Sequence, residues 1–179
     1  EIAGARHNLG WDAAPFEIPD AVLTSWRSAA AARAKAYAEW EQRFAASEQK
    51  EGFSARMHGD LGDAWTQAVT EQKQRLAEAQ PKEATRVSSQ NALEVLVPHV
   101  PALLGGSADL TGSNNTKTKA MTAFAAPDYA GKYVYYGVRE HGMAAAMNGI
   151  ALHGGFIPYG GTFLVFTDYC RPSIRLSAL

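Results

Sequence analysis

Three ionisable side chains, Arg139, Glu140 and His141, stand between an apolar run, "KYVYYGV", and a nearly neutral stretch of small residues, "GMAAAMNGIALHGG". A carboxylate in that setting has two uses. At the first turn of a helix it is favoured by the helix dipole. Covered by an apolar ligand face, it becomes a proton donor or acceptor, with desolvation raising its pKa against the dipole. Phe163, Phe166 and Tyr169 recur at three-residue steps, which on a helix share one face. They make either an aromatic core stripe or a stacking platform for a flat heteroaromatic ring. Gly160 and Gly161, just before them, allow close backbone approach. Asp109, Thr111 and Ser113 come after an apolar run. Such short polar side chains satisfy turn backbones, or hold a sugar hydroxyl or a phosphate. Arg86 is either a solvated charge or a planar donor fork suited to phosphate.

The elements that must position these residues change type along the chain. Residues 1–80 read as polar and helical. After the proline-bounded "PFEIP", Asp20 is a plausible N-cap. Val22, Trp26, Ala29, Arg33, Tyr37, Trp40 and Phe44 then recur at steps of three and four, the pattern of an amphipathic helix of about six turns. A second helix is expected from about Gly62 to Ala79, with Trp65, Val69 and Leu76 as its apolar side. Pro81 punctuates the boundary. Residues 81–179 read as α/β. A helix is expected over 89–97, a strand at "ALLGG", and a polar loop at "SADLTGSN". A strand at "KYVYYGV", a helix over 140–152, a strand at "GGFIPYGG" and a helix opening at "TFLVFTDY" complete the order. Pro172 predicts a kink or a restart in that last helix. Strand–helix alternation implies a parallel sheet with crossover helices. Ligands in such sheets sit beyond the carboxyl ends of the strands, where the loop at 107–114, Glu140 and the turn at 160–163 all fall.

Bulk properties narrow the function classes. With 17 basic and 18 acidic residues among 179, nothing argues for a nucleic-acid or membrane partner. The single cysteine, Cys170, forms no internal disulfide and fits a reducing, cytoplasmic setting. No run approaches the roughly 18 apolar residues of a membrane span. CxxC, HExxH, Walker A, GxGxxG and GxSxG are all absent, and the five histidines show no metal-ligand spacing. The chain opens without Met and stops at "RLSAL" with no C-cap, which leads us to expect a piece of a longer protein.

The ordered set "GGSADLTGSN", "YGVREHGMAAAMNGIALHGG", "PYGGTFLVFTDY" and "RLSAL" resembles the pyrimidine-binding domain of the transketolase family. "EIAGARHNLGW" with "PFEIP" resembles the end of the family's pyrophosphate-binding domain, and "ATRVSSQNAL" the entry to the second domain. The resemblance implies an incomplete thiamine diphosphate-binding fold, preceded by a helical segment, with 1–80 closing one domain and 81–179 opening the next. It implies a transferase of the pentose phosphate pathway that moves a two-carbon ketol unit from a ketose phosphate to an aldose phosphate. Glu140 matches the family's glutamate, which binds the cofactor's aminopyrimidine ring nitrogen. Phe163, Phe166 and Tyr169 match its aromatic pocket, Asp109 its substrate-hydroxyl aspartate, and Arg86 and Ser113 its phosphate contacts.

Gly112 stands where the family usually has proline. The family's diphosphate–metal motif, a GDG followed by an Asn, does not occur in these residues. The Mg2+ ligands are therefore expected elsewhere in a full-length homodimer, with this chain alone inactive. Related readings are a dihydroxyacetone synthase, a deoxyxylulose-phosphate synthase, or a non-catalytic transketolase-like subunit.

Overall fold

A computed structural model describes residues 1–179. It separates into two compact units, Glu1–Lys50 and Glu51–Leu179. The first holds α1 (Ile2–Asn8) and α2 (Asp20–Ala46). The N-cap of α2 is Pro19, and Asp20 is its first helical residue. The expected cap thus moves one place: proline's fixed φ suits the entry, and the aspartate acts on the helix field from within the first turn. Tyr37, Trp40 and Phe44 stack in sequence, with centroids 5.9 and 5.2 Å apart. No residue of α2 is buried.

The boundary falls at the first residue of α3 (Lys50–Met57), and the second unit continues with α4 (Ala64–Ala79) and α5 (Thr85–His99). Helix α4 packs on α5, so the helix before Pro81 is physically joined to the helix after it. Then come β1 (Leu103–Ser107), the single turn α6 (Thr111–Asn114), β2 (Tyr133–Tyr135), α7 (Glu140–His153) and β3 (Ile157–Pro158). A 3-10 turn at Leu164–Phe166 leads into α8 (Thr167–Ala178).

The three strands are parallel, in the order β2-β1-β3. Gly105 pairs with Tyr133, and Leu103 with Ile157. The expected α/β class with a parallel sheet and crossover helices is what the chain forms. Successive residues of a strand face opposite sides, and β1 uses this to admit two rings. A Cβ on Gly105 would lie 2.4 Å from the Tyr159 ring, and one on Gly106 2.4 Å from the Tyr136 ring. The core gathers Val97, Met121 and Tyr133, flanked by Leu93, Leu103 and Tyr159.

The last helix starts later than expected. Helix α8 begins at Thr167 rather than at "TFLVF", because Phe163 is extended at φ −73°, ψ 144°. Of the two outcomes open at Pro172, a restart does not occur, since α8 is continuous through it. Short α1 and α3 carry too little periodicity to be read from the sequence.

Candidate active site

Glu140 is the first residue of α7 and is 2% exposed. The turn before it is built by Gly137, in the left-handed region at φ 68°. Arg139 reaches back across that turn, its Nη1 donating to the Tyr136 carbonyl at 3.0 Å. The guanidinium is spent on local backbone and leaves Glu140 unpaired by any cation.

Hydroxyls hold the carboxylate instead. Thr162 Oγ1 donates to Oε1 at 3.0 Å. The Tyr169 hydroxyl donates to Oε2 and accepts from the Glu140 backbone N–H at 2.9 Å. Tyr169 therefore caps an N–H that α7 cannot satisfy itself. The Tyr169 bond is the main reason the Glu140 carboxyl is held below the usual carboxylate range, opposed by burial and supported by the backbone and Thr162 bonds. In return the Tyr169 hydroxyl is pushed up, chiefly by its bond to Glu140. Hydrogen bonds that favour the charged carboxylate thus outweigh the desolvation that opposes it.

The aromatic triplet does not share one helix face. Phe163 precedes the 3-10 turn, Phe166 ends it, and Tyr169 lies in α8. Phe163 and Phe166 still stack, with centroids 6.1 Å apart and planes 16° from parallel. They are 44% and 38% exposed, which rules out a buried core stripe. The close approach that Gly160 and Gly161 permit is to the chain's own side chains. A Cβ on Gly160 would meet the sulfurs of Met147 and Met143 at 2.6 and 2.9 Å, and one on Gly161 would meet Thr116 Cγ2 at 2.2 Å.

Asp109 and Ser113 lie exposed on the turn after β1. Asp109 adopts φ 61°, and the turn's backbone bond is made by Ser107, whose Oγ accepts from Leu110 N at 3.1 Å. Ser107 Oγ also donates to the Gly161 carbonyl at 2.9 Å, and Asn114 Nδ2 donates to the Thr162 carbonyl at 2.7 Å. The turn bearing Asp109 and Ser113 is thereby fastened to the loop bearing Thr162 and the two phenylalanines. Arg86 is exposed at the second residue of α5 and shares no hydrogen bond or ion pair with the other candidates. Sequence reasoning missed Thr162, Ser107 and Asn114. Each sits inside a motif already singled out, but no spacing announces partners 22 to 54 residues away.

The residues present fit a flat, nitrogen-bearing ring. Two partly exposed, mutually stacked rings stand next in the chain to Thr162 and one turn before Tyr169, the two partners of the buried carboxylate, and each carboxylate oxygen keeps acceptor capacity beyond its one hydroxyl partner. No three His, Cys, Asp or Glu side chains converge as a metal-binding group. No helix is long and apolar enough to cross a membrane.

The family model described as transketolase, pyrimidine binding domain, matches residues 81–179. The model described as transketolase, thiamine diphosphate binding domain, matches residues 1–63. A transketolase of Cereibacter sphaeroides is 54% identical over 179 residues, covering 100% of this chain and 27% of the relative. One of Sinorhizobium medicae is 47% identical, covering 100% and 26%. The chain thus spans about a quarter of the length of these relatives. Among solved structures, a Pichia stipitis transketolase in complex with sedoheptulose-7-phosphate matches 95% of this chain and 27% of its own, at 37% identity and TM-score 0.77. Transketolase from Leishmania mexicana matches 90% and 24%, at 37% identity and TM-score 0.74. With both parts of the chain matched in order by family models, and its backbone superposing on solved members, the chain belongs to the transketolase family.

Proposed function

We propose that this chain forms the pyrimidine-recognising part of a thiamine diphosphate-dependent transketolase, with residues 1–80 closing the preceding domain and 81–179 opening the pyrimidine domain. The observation that carries the reading is Glu140, buried at a helix start and held by the hydroxyls of Thr162 and Tyr169, on the segment that also carries the partly exposed, stacked Phe163 and Phe166. The reaction is transfer of a two-carbon ketol unit between sugar phosphates, in a cytoplasmic homodimer whose Mg2+ ligands lie outside this chain.

Bound thiamine diphosphate supplies the ring on which carbanion charge is stabilised. Glu140 holds a proton between its carboxylate and a pyrimidine nitrogen. Glu140 is already buried, and an apolar ring against it adds to the desolvation that opposes its ionisation. Phe163 and Phe166 supply the stacking faces, and Tyr169 fixes the carboxylate's rotamer. Asp109 meets a substrate hydroxyl, while Ser113 and Arg86 meet its phosphate.

The test is Glu140→Gln in the complete enzyme. The amide keeps the shape and loses the shared proton, so turnover should fall about 10²–10⁴-fold with the fold intact. Near-normal kcat would overturn the assignment. A ketol donor–acceptor assay on the wild-type enzyme separates transketolase from a dihydroxyacetone or deoxyxylulose-phosphate synthase, and from a non-catalytic subunit.

A further inference from the structure

One buried hydroxyl closes the turn on which Ser113 rides. Tyr133, on edge strand β2, is 0% exposed. Its hydroxyl donates to Thr111 Oγ1 at 2.9 Å. Thr116 Oγ1 lies 2.6 Å from the same oxygen and, since the phenol has one proton, is the donor there. The two threonines mark the ends of the segment Thr111–Thr116, with Ser113 between them. Asp109 and Asn115 hold left-handed φ values of 61° and 55°. Non-glycine residues keep such a conformation where the surroundings over-determine it. From the opposite edge strand's end, the Tyr159 hydroxyl donates to the Thr116 carbonyl at 2.7 Å. The segment is therefore pinned from both edges of the sheet, and the Tyr133 bonds tie its two ends to each other.

We infer that Tyr133, through Thr111 and Thr116, is a positioning residue that sets Ser113 for a phosphorylated substrate. This rests on the reading of Ser113 as a phosphate contact. Tyr133 touches no substrate; it acts by limiting the turn to one conformation. Loss of its hydroxyl leaves the Tyr159 and Asn114 fastenings in place, so the loss is partial and local.

The experiment uses Tyr133→Phe in the complete enzyme, with phosphorylated and unphosphorylated ketose donors. KM for the phosphorylated donor should rise about two- to tenfold, the range of one lost net hydrogen bond. KM for the unphosphorylated donor, kcat and half-saturation by thiamine diphosphate should stay unchanged. Thr111→Val should reproduce the effect and Thr111→Ser should restore wild-type behaviour. This pair, nearer the surface, carries the test if Tyr133→Phe does not fold. In the Tyr133→Phe background, Ser113→Ala should add less than it does alone. If Ser113→Ala raises KM while Tyr133→Phe and Thr111→Val do not, the positioning role is wrong and the phosphate reading stands. Equal rises for both donors, or a shifted cofactor half-saturation, would make Tyr133 merely structural. A silent Ser113→Ala removes the phosphate reading, and the positioning role with it.

Discussion

At the scale of the residue, the largest single influence on the Glu140 carboxyl is the tyrosine 29 positions later. The sequence announces Glu140 because a carboxylate between an apolar strand and a small-residue helix is out of place. It cannot announce Tyr169 as its partner, because that contact is made only when α8 packs on α7. The consequence is measurable through pH. A carboxylate with its folded pKa depressed contributes stability above the unfolded value of about 4.3, and that stability is lost as pH falls through the folded value. Glu140 is depressed, and Tyr169 is the largest cause. Tyr169→Phe should therefore be less stable than wild type at neutral pH, with the gap narrowing below about pH 4 as the carboxyl protonates in both proteins. Equilibrium urea unfolding across about pH 3–7 reads this directly. A gap that is constant with pH would mean that Tyr169 contributes packing and no charge stabilisation.

At the scale of the element, the glycines divide into those a sheet needs and those it does not. The run Gly105-Gly106 was legible as a short buried strand, but its reason was not: two tyrosine rings lie against it, one from each side. Gly131 is tighter still. A Cβ there would lie 2.0 Å from the Ala123 carbonyl oxygen, which is backbone and cannot swing away. That contact belongs to a segment whose Phe124 N–H donates to the Tyr133 carbonyl at 2.7 Å, an extra edge pairing with no sequence signal. Gly112, by contrast, has nothing within 4 Å of its Cβ position. Gly131→Ala should cost about 1–3 kcal/mol or more through overpacking. Gly112→Ala should be neutral or stabilise by about 0.4–1 kcal/mol, by restricting the unfolded chain at a helical position. Chemical denaturation of the two variants gives the comparison. Equal effects would show that the region around Gly131 relaxes at little cost.

At the scale of the whole molecule, the order of elements was legible, and the destination of the apolar surface was hidden. Val138 is 75% exposed in the turn before Glu140, and Leu164 and Val165 are 84% and 70% exposed in the 3-10 turn after Thr162. On the proposed reading, the polar side of the cofactor is held outside this chain. A diphosphate needs a divalent cation with oxygen ligands to offset its charge, and no three candidate ligating side chains converge here. The pyrimidine side alone offers the buried Glu140 and two stacked rings that are partly exposed to solvent, which weakens stacking on them. Thiamine diphosphate should therefore bind the isolated chain weakly, with no dependence on magnesium and no turnover of ketose phosphates. Titration calorimetry of the purified chain with cofactor, with and without magnesium, is the measurement. Tight binding that requires magnesium would place a metal site among these residues and overturn the division of the cofactor between this chain and the rest of the enzyme.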